Sequence, residues 1–224
     1  MLKYLKYTGL LLLYFIAYQF ALGFLFLPLV SNEVASSIPQ NAQEGLVWFG
    51  GILGFVLSTG LFFLFWKVLY PKKRAEIFLD TAWAKSIWLP LFAYAVYLLL
   101  QVFIPIPESE NQKEVIKFVS QFPVNSFLAV VLFAGPLEEL IFRGFLANYF
   151  FPKIDSTRIA LLYMVVSGVL FSLVHVPTTI LHFSIYFIMG VNLAWLYVIK
   201  NDIRYPIALH IFNNSLGYLM ILLS

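Results

Sequence analysis

Near the middle of the chain the sequence reads Phe133-Ala-Gly-Pro-Leu-Glu-Glu-Leu-Ile-Phe-Arg-Gly144, two carboxylates and a guanidinium inside an apolar run. On insertion scales each such charge costs about 2.5–3.5 kcal/mol at the centre of a membrane helix. Residues of this kind face a bundle interior or a water-filled cavity. Their spacing divides their roles. Glu139 and Arg143 are four apart with the acid N-terminal, the favourable order for a helical ion pair. Glu138 is rotated about 100° from Glu139 around the helix, so it is the carboxylate left for other work. A purely structural Glu–Arg clamp accounts for Glu139 and Arg143 but gives Glu138 no partner. Gly135-Pro136 just upstream loosens the helix and frees a backbone carbonyl.

The histidines extend the pattern. His175 closes Phe171-Ser-Leu-Val-His175, and His210 opens His210-Ile-Phe-Asn-Asn214. Each motif places two residues four apart on one helical face, so Asn214 can address the group that His210 addresses, with Asn213 beside it in support. The third histidine, His182, has Tyr186 as its polar neighbour at helical spacing and reads as a packing or interface residue. Glu138, His175, His210 and Asn214 together form one Glu/His/His/Asn set in an otherwise apolar half of the chain.

The elements that carry this set follow from composition. In 224 residues, 62% are hydrophobic and 11% charged, with a mean hydropathy of +0.89. A single soluble core of this size cannot bury so much apolar surface, and the abundance of aromatics is the opposite of a disordered chain. With no cysteine, disulfides, thiolate metal sites and cysteine nucleophiles are excluded. About 20 apolar residues cross a bilayer. The sequence supplies seven stretches: Leu10–Val30, Leu46–Trp66, Ile87–Ile106, Phe127–Phe151, Ile159–Val176, Ile180–Ile199 and Tyr205–Leu223. The first has Lys3 and Lys6 before it but is too long for a signal peptide and lacks a small-residue cleavage site, so it reads as a retained helix. The expected fold is all-α, a polytopic membrane helix bundle of about seven spans. It forms one integral-membrane domain over 1–224, with three N-terminal helices and an interfacial segment in 1–122 and a four-helix catalytic core in 123–224.

Charge placement orients the bundle. Lys3, Lys6, Lys67, Lys72, Lys73, Arg74, Lys85, Lys153, Arg158, Lys200 and Arg204 fall in one set of loops, and only Lys113 and Lys117 in the other. This bias puts the N-terminus in the cytoplasm. It also uses up the net charge of +3, so no nucleic-acid partner is expected. In the loop 67–86, Ile77, Phe78, Leu79, Ala82 and Trp83 face away from Glu76 and Asp80 at helical spacing, which predicts a short interfacial helix. The outer segment Pro107–Phe122, with Glu108, Glu110 and Glu114, reads as solvated. Val176-Pro177 leaves room only for a tight turn between the fifth and sixth spans.

The three motifs, Glu138-Glu139…Arg143, Phe171…His175 and His210…Asn214, resemble the CPBP family of CAAX proteases and bacteriocin-processing or self-immunity proteins, also called the Abi family. All three match in order over Glu138–Asn214. The resemblance implies an integral-membrane endopeptidase. In it Glu138, assisted by His175, activates a water, His210 and Asn214 stabilise the oxyanion, and Glu139 and Arg143 are the structural pair, with Phe171 in support. The family is often labelled metalloprotease, and a zinc site built from Glu138, His175 and His210 is the alternative. No cofactor is favoured, because Asn214 is a poor zinc ligand, Glu139 is taken by Arg143 and no His-Glu-x-x-His motif is present.

The expected substrate is a lipidated peptide, a peptide precursor or a membrane protein, met within the lipid of a cell membrane, a bacterial plasma membrane by the style of the sequence. Two rival functions remain at this stage. One is a non-catalytic membrane immunity protein that binds a partner. The other is a proton-coupled transporter, against which stand the lack of an internal repeat and the single charged cluster.

Overall fold

The computed structural model describes residues 2–33, 39–70, 75–104 and 107–224. Helices dominate: α1 (Leu2–Glu33), α2 (Gln40–Phe63, continued by a π-helical turn Leu64–Leu69), α3 (Ala82–Lys85), α4 (Trp88–Phe103), α5 (Glu110–Gln121), α6 (Pro123–Phe150), α7 (Thr157–Val174), α8 (Ile180–Lys200) and α9 (Arg204–Leu223). Six of them, α1, α2, α6, α7, α8 and α9, are long and apolar enough to cross a membrane. The third expected span is the shorter α4; the distal end of that stretch, Ile106, lies outside the described residues, as do Lys72, Lys73 and Arg74. The protein is a polytopic all-α membrane bundle, with many large apolar side chains exposed along the helices, as lipid-facing surfaces require.

The chain divides into two compact units. The first contains Met1–Lys72, Glu114–Glu138 and His210–Ser224, and the second Lys73–Lys113 and Glu139–Leu209. In the first unit, α1 and α2 meet through small residues. A Cβ on Gly50 would stand 2.5 Å from the Phe24 carbonyl oxygen, and one on Gly54 would stand 2.6 Å from Leu25 Cγ. Gly50, Gly54 and Ser58 are the buried residues of α2, a small-xxx-small face that lets the two backbones approach. This contact turns the face of α1 holding Tyr7, Tyr14, Tyr18, Ala21, Leu25 and Leu29 into the interior.

The outer segment is not simply solvated. It folds into α5, whose Phe118 and Val119 are fully buried. Phe118 stacks on Phe26 with ring centroids 4.2 Å apart, and Val119 joins Val131 and Tyr218 in an apolar cluster. Glu110 and Lys113 pair on its outer side. The acidic residues occupy only one face, and the apolar ones at three- and four-residue spacing take the other.

The expected interfacial helix is also corrected. In the second unit Glu76–Ile77 forms a two-residue parallel ladder with Lys153–Ile154. Ala75 N–H donates to Asn148 Oδ1 at 2.8 Å, which anchors its start. Among the described residues 75–86, Ala82–Lys85 alone is helical. The Pro152 and Ile154 carbonyls accept from the N–H groups of Glu76 and Phe78 and hold this stretch extended, and Trp83 packs near Trp195.

Candidate active site

The site is built on α6, whose backbone is irregular where the charges lie. Pro136 has no N–H for the helical ladder. Around it, α-helical Gly135–Glu139 is flanked by π-helical turns at Phe127–Ala134 and Leu140–Phe145. Such wide turns are rare and concentrate at functional sites. Glu138 and Glu139 end the short α-helical stretch.

In the first unit Glu138 is buried, with 8% exposure. Its Oε1 accepts a short hydrogen bond from the hydroxyl of Tyr18 on α1, itself buried. Its Oε2 accepts no hydrogen bond among the described residues and stands 3.9 Å from His210 Nε2. His210 is buried as well. Its ring packs over Gly135, where a Cβ would lie 3.2 Å from His210 Cγ, so the glycine makes room for the imidazole beside the carboxylate turn. One turn further along α9, Asn214 Nδ2 donates to the Val130 carbonyl at 2.8 Å. Asn213 Nδ2 donates to Asn214 Oδ1 at 3.2 Å. The Asn214 amide is thereby fixed at both ends, with one of its two N–H groups engaged.

In the second unit Glu139 and Arg143 are wholly buried, and Arg143 Nη1 donates to Glu139 Oε1 at 2.9 Å. Nη2 donates to the Gly190 carbonyl at 3.1 Å, and the guanidinium lies 4.4 Å from the centroid of Phe171. The arginine thus ties α6 to both α7 and α8. That reach depends on close helix contact, because a Cβ on Gly190 would fall 2.9 Å from Gly168 Cα. Tyr163 and Ser167 on α7 donate to the carbonyls of Arg143 and Phe142, which satisfies polar backbone in the wide turn.

His175 does not continue α7 but caps it, and Val176 follows with φ of 49°. A β-branched residue in the left-handed region is strained, and the strain turns the chain sharply toward α8. His175 Nδ1 lies 2.7 Å from the Phe171 carbonyl, so the four-residue spacing is realised as a hydrogen bond. A carbonyl only accepts, so Nδ1 carries a proton. The imidazole stacks on Tyr186, with centroids 4.4 Å apart, and the Tyr186 hydroxyl is held by Ser109 and Asn111.

Both ring nitrogens of His182 are engaged in hydrogen bonds. Its Nε2 donates to the Pro107 carbonyl at 2.9 Å, and Nδ1 accepts from Thr178 Oγ1 at 3.0 Å.

The model of the Rce1-like family, type II CAAX prenyl endopeptidase Rce1-like, matches residues 120–216. Residues 120–216 are similar to the Rce1-like family. No curated protein and no solved structure matches the chain. The segment is thus similar to CAAX-type membrane proteases in general class, and it is set in a multi-pass membrane protein.

All three motifs lie inside the Rce1-like segment, from Glu138 to Asn214. Tyr18 lies outside it, and it is the residue that reasoning from motifs missed. Glu138 therefore has a partner, contrary to expectation, and that partner is a neutral donor 120 residues away rather than a cation. The available signal was the row Tyr7, Tyr14 and Tyr18, hydroxyl-bearing residues seven and four apart on a helix otherwise built for lipid. Among the described residues no group of three His, Cys, Asp or Glu side chains is arranged to hold a metal ion.

Proposed function

We propose that the protein is an intramembrane endopeptidase in which Glu138 activates the water that attacks a peptide bond. The observation that carries this reading is the state of the Glu138 carboxylate. One oxygen is held by Tyr18, and the other faces His210 Nε2 at 3.9 Å without a hydrogen bond of its own. Two atoms at that separation are too far apart for a direct bond but can share one water at about 2.8 Å from each. A carboxylate so placed takes a proton from the water as it attacks. His210 then donates to the oxyanion that develops, together with the remaining N–H of Asn214, in surroundings of low dielectric where such donors are strongest. His175 is assigned as the assisting base on its motif. Glu139 and Arg143 hold the helices and take no part in proton transfer.

The Rce1-like match and the lipid setting support a choice of substrate class. A prenylated CAAX peptide is the first candidate, and a bacteriocin or signalling-peptide precursor or another membrane protein the second. A bacterial plasma membrane is the proposed location. The mechanism is written without metal, because Glu139 is taken by Arg143 and Asn214 is a poor zinc ligand.

The test is cleavage of prenylated and unprenylated peptides by the full chain in lipid nanodiscs. Glu138→Ala is expected to abolish cleavage at normal membrane abundance, and chelation by EDTA to leave cleavage intact. A fully active Glu138→Ala protein would overturn the enzyme reading in favour of partner binding. Loss on chelation with recovery in zinc would overturn the metal-free mechanism alone. Ion flux into proteoliposomes without cleavage would favour transport.

A further inference from the structure

A buried carboxylate costs several kcal/mol unless its oxygens are satisfied, so its partner is part of its chemistry. Glu139 has an arginine and is neutralised. Glu138 has the Tyr18 hydroxyl, a neutral donor that satisfies one oxygen and supplies no compensating charge. The two neighbouring acids are therefore held in opposite ways, one locked in an ion pair and one oriented but still able to take a proton.

The orientation has a specific content. With Oε1 bound to Tyr18, rotation about the last side-chain bond of Glu138 is fixed, and Oε2 is left on the side of His210 Nε2. Without the phenol, no other hydrogen bond of Glu138 among the described residues would keep Oε2 there, and the carboxylate would be able to close the 3.9 Å gap onto His210 itself. That collapse would remove the place for the water.

Tyr18 is in turn held by packing rather than by chance rotamer. It is 5% exposed, its ring neighbours Phe15 at 5.9 Å, and one turn before it Tyr14 packs on Phe65 of α2 at 5.2 Å. One to two turns after it comes the close contact of Phe24 and Leu25 with Gly50 and Gly54. A side chain on a helix anchored at both sides is a precise donor.

We propose that Tyr18 is a positioning residue for the water-activating carboxylate, so that α1, which lies outside the Rce1-like segment, is a working part of the active centre. This rests on the reading of Glu138 as the base. Its consequence is that the Rce1-like segment by itself is an incomplete enzyme.

The experiment uses the full chain in nanodiscs with Tyr18→Phe, which removes one oxygen and keeps the ring. The expected result is normal abundance, KM unchanged and kcat lowered about 10- to 100-fold, the scale of a misplaced reacting group. A second readout does not need turnover. With ¹³C-labelled glutamate, the infrared carboxylate band that disappears in Glu138→Gln is expected to shift in Tyr18→Phe, because a hydrogen bond to Oε1 has gone. An unchanged kcat would overturn the proposal, and so would an unshifted band. A loss of thermal stability with kcat intact would make Tyr18 a helix pin only, and would also overturn it. If Glu138→Gln retains activity, the base assignment falls, and with it the catalytic meaning of Tyr18, while the band still reports the contact. Should Tyr18→Phe fail to accumulate, a fluorotyrosine at position 18 keeps the shape and alters the donor. Both kcat and the band are then expected to move, and constancy of either refutes the proposal.

Discussion

The sharpest stability prediction concerns Arg143→Met. The side chain is wholly buried, and its three interactions are all internal to the second unit: Glu139 Oε1 at 2.9 Å, the Gly190 carbonyl at 3.1 Å and the Phe171 ring at 4.4 Å. Methionine fills similar volume, so cavity formation is a minor term. The dominant loss is the charge left on Glu139. Breaking a buried ion pair from one side costs about 3–5 kcal/mol. The Gly190 carbonyl loses its donor at about 1 kcal/mol, and the ring contact adds about 2 kcal/mol when desolvated. These terms overlap, so the expected destabilisation is about 4–6 kcal/mol. The decisive comparison is Glu139→Gln combined with Arg143→Met. Removing the stranded charge is expected to restore about 2–4 kcal/mol, because only the Gly190 and Phe171 contacts remain lost. The assay is reversible unfolding in mixed micelles, with membrane abundance as a cellular check. The reasoning is refuted if Arg143→Met is as stable as the parent, or if the double variant is no more stable than the single one.

Three further outcomes follow from the close contacts. Gly190→Ala places a methyl 2.9 Å from Gly168 Cα; forced separation of α7 and α8 is expected to cost about 1–3 kcal/mol in the same unfolding assay. Gly135→Ala sets a methyl 3.2 Å from His210 Cγ. A displaced imidazole is expected to lower kcat about 10- to 100-fold with little change in unfolding midpoint, measured by peptide cleavage. His182→Ala removes both ring hydrogen bonds, to Pro107 and Thr178. It is expected to lower stability by about 1–3 kcal/mol while kcat stays unchanged; a large fall in kcat at normal stability would show that the third histidine acts in chemistry.

What could be read in the sequence was local or repetitive. Glu139 and Arg143 are four apart on a helix, and a helix dictates that they meet. Phe171 and His175 share the same interval and are joined by a hydrogen bond, although His175 has left the helix. The apolar stretches announced the spans because bilayer thickness converts directly into residue count. The two corrected expectations differ in origin. The ladder of Glu76–Ile77 with Lys153–Ile154 joins segments far apart in the chain, and two residues carry no periodicity to recognise. The helix Glu110–Gln121 does carry a periodic face, with Phe118 and Val119 on it, but what buries that face is Phe26, Val131 and Tyr218, of which Phe26 and Tyr218 lie far away in the sequence.

The sequence by itself determined that this is a polytopic helical membrane protein, that one acidic pair sits where charge is costly, and that one of the two acids is neutralised by an arginine. These follow from composition and from intervals of three and four residues, which a helix turns into contacts without reference to the rest of the chain. Tertiary structure alone decided what holds the other acid. Tyr18 and Glu138 are 120 residues apart, and their meeting depends on glycines that bring α1 against α2 and on a wide-turned α6. No interval encodes such a contact, because it results from the packing of several helices at once.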